Sequence, residues 1–368
     1  LIMVAGRFVS GCSVGILSTV VPLYQSEVAP PELRGALTSL AQVMVVFGVA
    51  VATFADQLLL PLRGGWRWGV LMPVFPGVVL FFGAMLLLPR SPRWLVQQGR
   101  ADDALLVLQS LRDKDDAEKE LREIVADREA ALVSGGVSWR ELFNGRTLRL
   151  LLVGVALQLL QQLTGINAFV SYGPRIFQSL GISGTLFQTL CTLALFLATL
   201  PALYLVERFG RRSLFLVGAA GMLLPSVLMA ILGLAFARQD GDSIQVPNQA
   251  AGGVIAACVF AFVVNFAYTW GPTTWVYCAE IFPMRVRGMC VGLTTMAEWA
   301  GVFLVNQFTP LLFSSLGFGA FLVFGAFSAL ALALCWRLPE TRGVPLERME
   351  EVFGAYLGGA APSKNCDG

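Results

Sequence analysis

The sequence contains no histidine and few charged residues, and each shortage excludes a class of function. Without His, the 368 residues cannot form a Ser-His-Asp triad, a His metal site or a His proton relay. Only 14% of residues are charged and 56% are hydrophobic, whereas a soluble domain carries about 25% charged residues. The seven cysteines include no CxxC pair, and the net charge is only +2. We therefore expect no metal, no cofactor, no nucleic-acid partner and extensive contact with membrane lipid.

Apolar stretches recur along the chain, and each is long enough to cross a bilayer as a helix of about 20 residues. We place nine of them near residues 1–24, 36–60, 68–88, 148–172, 184–206, 213–236, 251–278, 288–313 and 317–337. Between the third and the fourth lies a polar segment, in which residues 101–111 are amphipathic and residues 113–128 are rich in charge. The pattern predicts an all-α, polytopic membrane protein with a helical linker outside the bilayer.

The distribution of Lys and Arg predicts which ends of the spans face the cytoplasm. Alternate loops, together with the end of the chain, hold 21 of the 26 basic residues, and the opposite side holds five. Because cytoplasmic loops carry the excess of positive charge, we assign the richer side to the cytoplasm. We expect an integral, multi-pass protein of the plasma membrane, with a vacuolar or plastid envelope membrane as the alternatives.

Two short segments of the chain repeat each other at a constant offset. Residues 26–35 read SEVAPPELRG, and residues 279–288 read AEIFPMRVRG. At an offset of 253, the residues Tyr24, Glu27, Arg34 and Gly35 correspond to Tyr277, Glu280, Arg287 and Gly288. Pro89 corresponds to Pro339 at an offset of 250. The repeat predicts two similar halves, as in membrane proteins that are built from parallel repeats.

This repeat also predicts how the chain is organised. Residues 148–337 form one half with six spans, residues 1–88 hold three spans of the other half, residues 89–147 link them, and residues 338–368 form a cytoplasmic tail. Because the second half has six spans, we expect the first half to begin upstream of Leu1, so that the chain holds spans four to twelve of twelve. A genuine nine-span protein is the alternative, although half of a repeat would leave a central cavity open on one side.

Acidic and basic residues recur where the spans reach the predicted cytoplasmic side. The motif ERFGRR follows the fifth span, and the two repeated loops carry Glu and Arg in matching places. Carboxylates and guanidinium groups at helix ends can pair bidentately and hold two halves together until the pairs break. The predicted cytoplasmic gate comprises Glu27, Arg34, Glu207, Arg211, Arg212, Glu280 and Arg287. The alternative is positive-inside charge combined with helix capping.

Polar side chains inside a span are costly to bury, so they are candidates for function. Gln158, Gln161 and Gln162 occur at i, i+3 and i+4 of the fourth span, on one face of a helix. Gly165 then allows the helix to loosen before Asn167. Amides both donate and accept hydrogen bonds, which suits neutral hydroxyl groups. The alternative is interhelical hydrogen bonding that only joins the spans.

Two other spans offer groups for the same purpose. Gln42 supplies an amide from the second span. On the seventh span, Trp270 and Trp275 flank Gly271 and Pro272, where we expect a helix break that exposes backbone and an indole. A flat aromatic face surrounded by amides is a suitable site for the ring and the hydroxyl groups of a carbohydrate.

Seven short motifs, taken in order, resemble the signature series of the sugar porter family within the major facilitator superfamily. They are GRF, PELRG, SPRWL, QQLTGIN, ERFGRR, WGPTTW followed by AEIFP, and PETRG, and they run from residue 6 to residue 343. The resemblance implies a major facilitator fold that lacks the first three of its twelve transmembrane helices. It also implies that sugar is bound by the matching side chains of Gln42, Gln158, Gln161, Gln162, Asn167 and Trp275.

Several positions depart from the family's pattern. Arg90 replaces the acid of the family's PESPR motif, Leu195 stands where many members have a sugar-binding Asn, and Ala267 replaces a Glu of the facilitative carriers. Glu298 stands near a position where Asn often contacts sugar, and it is interpreted as a substrate-binding residue, a proton-binding residue or a water-facing structural one. Arg7 matches the Arg that, in the family's proton symporters, couples to an acid on the first span. The alternative is that Arg7 anchors the outer interface.

The sequence therefore predicts a carrier for monosaccharides, hexoses first, that works by alternating access. Its partners are the sugar and, if it is a symporter, protons. A sugar-sensing receptor with the same fold and an inactive fragment of a polyol or sugar carrier are the alternatives, and the short tail after Glu340 argues against the receptor. The lack of His, of an acidic pair within the spans and of a Ser nucleophile motif argues against an enzyme.

Overall fold

The structure, a computed structural model, describes residues 1–30, 33–59, 61–133, 139–143, 145–170, 173, 183–240, 243–245, 248–283, 285–344 and 353. The described part of the chain is almost entirely helical. Most of the predicted tail, residues 338–368, lies outside the described residues, so the prediction for it stays untested.

Four helices form the part of the chain before the linker. They are α1 (Ile2–Val28), α2 (Arg34–Leu59), α3 (Gly65–Leu71) and α4 (Val74–Leu87). The first two correspond to the first two predicted spans, and α3 with α4 forms the third. Pro73 stands at the start of α4, where its missing backbone N–H removes no helical hydrogen bond.

The linker contains four further helices, and the first three of them share a small core. They are α5 (Pro92–Gln97), α6 (Ala101–Leu111), α7 (Lys114–Val133) and α8 (Trp139–Leu142). The amphipathic segment predicted at residues 101–111 is α6, and it buries Ala104 and Leu108 one turn apart. These two residues pack in a cluster with Leu95, Val96, Ala117 and Ile124.

Among the described residues after the linker, eight helices have eight or more residues. They are α9 (Gly145–Leu163), α10 (Gly184–Thr199), α11 (Ala202–Phe209), α12 (Arg211–Phe236), α13 (Gln249–Tyr268), α14 (Trp270–Glu280), α15 (Arg287–Leu316) and α16 (Ala320–Arg337). Residues 166–170 continue the direction of α9 as a helix after a turn at Gly165. The all-α prediction did not include a short antiparallel ribbon, β1 (Arg238–Asp240) with β2 (Ser243–Gln245), which joins α12 to α13.

The nine predicted apolar stretches coincide with helices. Among the described residues, seven helical segments are long and apolar enough to cross a membrane, and α10 with α11, bent by 43°, makes an eighth. The last of the seven, Arg287–Arg337, has 51 residues, which at about 1.5 Å each exceed twice the thickness of a bilayer core. It consists of α15 and α16, which meet at the 3-10 turn Gly317–Gly319. The chain is a multi-pass membrane protein.

The core of the described structure lies among the helices after the linker. In Gly145–Val170, 61% of the most apolar window is buried by other residues, whereas in α1 and in Gly65–Leu87 none is. The helix α2 is the main exception before the linker, because it packs on α10, α11 and α14. Contact between the two predicted halves therefore runs mainly along α2.

The internal repeat appears in the structure as a repeated hydrogen bond. The hydroxyl of Tyr24 donates to the carbonyl of Pro89 at 2.8 Å. The hydroxyl of Tyr277 donates to the carbonyl of Pro339 at 3.2 Å. The first bond joins the end of α1 to the segment after α4. The second joins the end of α14 to the segment after α16.

A second hydrogen bond repeats beside the first. Ser91 Oγ donates to the carboxylate of Glu27 at 2.5 Å, and Thr341 Oγ1 donates to the carboxylate of Glu280 at 2.8 Å. The offsets are those of the sequence repeat, since Glu280 follows Glu27 by 253 residues and Thr341 follows Ser91 by 250. The two predicted halves thus share local geometry as well as sequence.

Candidate functional site

Three glutamines of α9 are buried in the interior of the bundle. The exposed fractions of Gln158, Gln161 and Gln162 are 0%, 2% and 4%. The helix packs on α14, α15 and α16, and Leu150, Leu157 and other apolar side chains of α9 are buried with it. The spacing i, i+3 and i+4 carries all three amides to this interior.

A helix break between α13 and α14 supplies backbone acceptors for one of these amides. The break falls at Thr269, whose φ of −116° and ψ of −91° are not helical. Gln161 Nε2 donates to the carbonyls of Trp270 at 3.1 Å and Gly271 at 3.2 Å. Because the amide nitrogen is bound to carbonyls, the orientation of Gln161 is fixed, and its buried Oε1 has no partner among the described residues.

The predicted amide on α2, that of Gln42, lies close to the same break. Gln42 is half-buried, and its Nε2 lies 3.6 Å from the position that a Cβ on Gly271 would occupy. Gln42 and Gln161 therefore converge on Gly271.

A chain of hydrogen bonds connects α9 to a carboxylate on α15. Asn167 Nδ2 donates to Gln162 Oε1 at 2.5 Å, and Gln162 Nε2 donates to Glu298 Oε1 at 3.1 Å. The turn before Asn167 uses Gly165 at φ +98°, a conformation that glycine adopts without strain. The structure thus joins three of the predicted site residues into one network.

Close packing of α9 against α15 brings this network together. A Cβ on Gly301, three residues after Glu298, would lie 3.0 Å from the Cβ of Gln162. A Cβ on Gly154 of α9 would lie 2.8 Å from Thr294 Cγ2. Small residues that let two backbones approach are typical of helix contacts in membranes. They set the distance between Gln162 and Glu298.

The two tryptophans beside the break have different surroundings. Trp270 is fully buried, its Nε1 donates to the carbonyl of Phe215 at 3.0 Å, and its ring packs edge-on against that of Phe215. Trp275 is partly exposed. Only Trp275 is therefore placed to offer an aromatic face to a ligand, as the resemblance implied.

Several buried polar atoms on α9, α14 and α15 have no hydrogen-bond partner among the described residues. Gln161 Oε1 and Glu298 Oε2 are buried without a partner among the described residues, and so are the hydroxyls of Thr273 and Thr295. Gln158 lies near the thiol of Cys278 and makes no hydrogen bond to a nitrogen or oxygen atom of the described residues. Buried polar atoms normally have partners, so this mixture of unpaired donors and acceptors suits a ligand that carries several hydroxyl groups.

On the predicted cytoplasmic side, Arg211 is the centre of an ion cluster. Its Nη2 lies 2.7 Å from Glu280 Oε1, and its Nη1 lies 3.2 Å from Glu207 Oε2. The guanidinium group is nearly fully buried, as is Glu280. These pairs join α11, α12 and α14, so they lie within the predicted second half.

Glu340, which the sequence analysis did not include among the site residues, caps α12 within this cluster. Its carboxylate accepts from the backbone N–H of Arg211 at 2.8 Å and of Arg212 at 3.0 Å. A carboxylate at a helix N-terminus is favourable for the unpaired N–H groups there. The PETRG motif, and the correspondence of Pro339 with Pro89, are the signals that could have identified it.

Contact of the predicted first half with the cluster is made at Gly35, near the start of α2. A Cβ on Gly35 would meet Glu207 Oε1 and Arg211 Nη2, so α2 lies directly on the ion cluster. Of the other predicted gate residues, Arg212 donates to the carbonyl of Trp336 at 2.7 Å and Arg287 to that of Phe282 at 3.2 Å. The side chain of Arg34 lies outside the described part of the structure.

The residues that depart from the family pattern lie partly at the surface and partly in the core of the structure. Arg90 is exposed and lies over the ring of Trp94 at 4.8 Å, on the wall of a cavity of about 520 Å³ that Glu27 also lines. Leu195 and Ala267 are buried apolar residues. Arg7 lies on an exposed face of α1 and forms no ion pair with any described residue.

A bundle of long apolar helices with a buried polar site and an ion cluster at one end defines a membrane carrier. The sequence profile of the "Sugar (and other) transporter" family matches residues 1–353, and the chain belongs to that family. It is 34% identical to the MFS glucose transporter mfs1 of Aspergillus flavus, over 97% of this chain and 72% of the relative. It is also 34% identical to the low-affinity glucose transporter HXT1 of Saccharomyces cerevisiae, over 98% of this chain and 64% of the relative. The family comprises carriers, not enzymes.

The solved structures show the same fold, the major facilitator fold. The proton:xylose symporter XylE bound to 6-bromo-6-deoxy-D-glucose matches with a TM-score of 0.80 at 28% identity, over 94% of this chain and 73% of XylE. The inward-open structure of XylE from E. coli matches with a TM-score of only 0.61 at 28% identity, over 89% of this chain and 68% of XylE. The conformation described here is therefore closer to the ligand-bound structure than to the inward-open one.

Proposed function

We propose that the protein carries neutral monosaccharides, hexoses first, across the plasma membrane, and that the amides on α2 and α9 with Trp275 bind the sugar. The observation that carries the proposal is the buried network of Gln162, Asn167 and Glu298. Beside it, Gln161 Oε1 and Glu298 Oε2 are buried acceptors without a partner among the described residues. Sugar hydroxyls donate to such acceptors, and the apolar face of the ring packs on the indole.

The names of the relatives support a hexose and leave a pentose as the second choice. Two are glucose transporters, another is a galactose transporter of Saccharomyces cerevisiae, and XylE is a proton:xylose symporter. Proton-coupled uptake is therefore part of the proposal.

We propose that transport occurs by alternating access, in which residues 1–88 and 148–337 rock against each other around the amide site. The ion cluster around Arg211 stabilises the state that is closed to the cytoplasm. Two observations support this assignment: the cluster is intact in a conformation unlike inward-open XylE, and α2 lies on it at Gly35.

Uptake of labelled sugar tests the proposal. The chain is expressed in cells that lack hexose carriers, and initial rates are measured for glucose, galactose and xylose beside surface expression. We expect saturable uptake, with the KM raised about tenfold by Gln162→Ala, because the variant loses the hydrogen bonds that this amide is proposed to make with the sugar, at about 0.5–1.5 kcal/mol each. Gln98→Ala, on the exposed linker, is the matched control. Absence of uptake by protein at the surface, or an unchanged KM in Gln162→Ala, would contradict it.

A further inference from the structure

Glu298 is a carboxylate in the middle of α15 without a cationic partner. The residue is 8% exposed, Oε1 accepts from Gln162 at 3.1 Å, and Oε2 is buried without any partner among the described residues. A buried carboxylate that is ionised and unpaired carries a large desolvation cost. The group therefore needs a proton or a cation during at least part of the transport cycle.

The helices packed against α15 offer no cation for this carboxylate. On α9, Arg149 is the nearest basic residue, and it lies 13 residues before Gln162, about 20 Å away along the helix. On α15 itself, Arg287 lies 11 residues before Glu298, about 16 Å away. The remaining titratable and charged groups of the described contacting elements are Arg7, Cys12, Tyr24 and Glu27 on α1, Arg146 on α9, Tyr277, Cys278 and Glu280 on α14, Cys290 on α15, and Cys335 and Arg337 on α16.

Of these groups, the thiol of Cys278 is close enough to Glu298 to interact with it, and it supplies no positive charge. None of the described basic residues forms an ion pair with Glu298. The free oxygen, Oε2, is thus the place at which a proton can bind without breaking an existing hydrogen bond.

We propose that Glu298 carries the coupling proton, on the basis that the chain is a sugar carrier. In the loaded state an O–H bond forms at Oε2, with the proton taken from water on the entry side. After the site opens to the other side, that bond breaks and the proton passes to water there. The carboxylate is neutral when sugar crosses and ionised when the empty site is exposed to water, so one proton moves with each sugar.

The hydrogen bond from Gln162 provides the coupling between proton and sugar. An ionised carboxylate accepts a strong, charge-assisted hydrogen bond from the amide of Gln162. Protonation of Glu298 weakens this bond and releases the amide for a sugar hydroxyl. Sugar and proton therefore favour each other's binding through one shared side chain, as reciprocal linkage requires.

The assignment differs from the one that the family resemblance implies for this chain. Arg7 was the position expected to take part in proton coupling, but its side chain lies on an exposed face of α1 and has no acidic partner among the described residues. Glu298 instead lies in the same network as the amides, in place of the uncharged Asn that the resemblance leads one to expect. The proton site would then be in the second half.

The test uses the purified protein in liposomes, with two assays on each preparation. Counterflow of labelled glucose reports sugar exchange and needs no proton gradient, and uptake under an inward proton gradient reports coupling. The uptake stimulated by the proton gradient is divided by the counterflow rate of the same preparation. A change in sugar affinity is then not mistaken for a change in proton coupling. We expect several-fold stimulation in the unmodified protein, abolished by a protonophore, and no stimulation in Glu298→Gln.

The control Glu118→Gln makes the same chemical change on the exposed face of α7 and should keep the stimulation. Stimulation that persists in Glu298→Gln overturns the proposal, as does counterflow in the unmodified protein without any stimulation. Absence of counterflow in the unmodified protein is different, because it contradicts the proposed sugar carrier itself.

A second measurement decides the case if Glu298→Gln does not fold. Glucose is added to the unmodified protein in weakly buffered detergent with a pH indicator. Uptake of about one proton per protein on sugar binding supports the proposal, and sugar binding without proton uptake overturns it. Stronger inhibition by glucosamine than by glucose, without proton uptake, would mean that Glu298 stays ionised and pairs with a cationic substrate.

Discussion

The hydroxyl of Tyr24 donates a hydrogen bond of 2.8 Å to the carbonyl of Pro89, and this bond recurs 253 residues later in the chain. Tyr277 makes it with Pro339, and in both places a nearby hydroxyl donates to a Glu three residues after the tyrosine. In each predicted half, the bond connects the end of one helix to the segment that follows the last helix of that half. It indicates that the two motifs, SPRWL and PETRG, have the same structural task.

We expect Tyr277→Phe to lower the melting temperature in detergent more than Tyr24→Phe does. Tyr277 is fully buried, so water has less access to the place of its hydroxyl, and loss of the bond should cost about 1 kcal/mol. Tyr24 is only half-buried, and water can replace its hydroxyl. A melting temperature that falls equally in both variants would contradict the difference in burial as its cause.

Trp270 and Trp275 should respond to substitution in opposite ways. Trp270→Phe removes the indole N–H that donates to the carbonyl of Phe215, so it should destabilise the protein by about 1–3 kcal/mol. The KM for sugar of the protein that reaches the surface should stay unchanged. Trp275→Ala should leave the melting temperature near that of the unmodified protein and raise the KM for sugar several-fold, because the aromatic face is lost.

Thermal melting and uptake kinetics, measured on the same two variants, separate these roles. The pair serves as its own control, since both residues lie on α14 within six residues of the same break. If Trp270→Phe raises the KM and Trp275→Ala does not, the sugar lies on the other side of the helix, and the proposed site is wrong.

Much of the helical framework follows from local sequence properties. The bounds of α6 coincide with the amphipathic segment at residues 101–111, because the apolar spacing there fits the helical period. The nine apolar stretches coincide with helices because an unbroken apolar run in lipid has no other way to satisfy its backbone. Likewise, the amide face of α9 follows from spacing along one helix.

The hydrogen-bond and ion-pair partners of the polar groups could not be predicted from the sequence in the same way. The sequence shows that Arg211 and Glu280 are charged, but not that α11, α12 and α14 bring them together within one half. The cap that Glu340 makes on α12 and the bond from Trp270 to Phe215 join residues 129 and 55 positions apart. Such contacts depend on how the helices pack, which one chain's pattern does not specify.

The close contact of α9 with α15 should be sensitive to one methyl group. In Gly301→Ala the new Cβ would lie 3.0 Å from the Cβ of Gln162, so one helix must shift and the bond from Gln162 to Glu298 lengthens. We expect a several-fold rise in the KM for sugar. Gly292→Ala, on the same helix with nothing within 4 Å of its Cβ, is the matched control. Equal KM values in the two variants would show that the spacing of these helices does not control the site.

Removal of Arg211 should open the cytoplasmic side of the carrier. Arg211→Ala leaves the carboxylates of Glu207 and Glu280 facing each other without their shared cation, and the loss of one partner of a buried ion pair costs about 3–5 kcal/mol. Since that cost is relieved when water reaches the cluster, we expect the inward-open state to become more populated. The thiol of Cys278, now buried on α14, should then react faster with a membrane-impermeant maleimide in inside-out vesicles.

The reaction is followed by mass spectrometry of the peptide that contains Cys278, so that other cysteines do not contribute to the signal. Arg208→Ala is the control, because Arg208 belongs to the same motif but its side chain is exposed and pairs with Tyr204. Arg211→Lys should give an intermediate rate, since Lys keeps the charge but loses the fork that contacts two carboxylates at once. If the labelling rate in Arg211→Ala equals that in Arg208→Ala, the ion cluster serves stability alone, and access from the cytoplasm is controlled elsewhere.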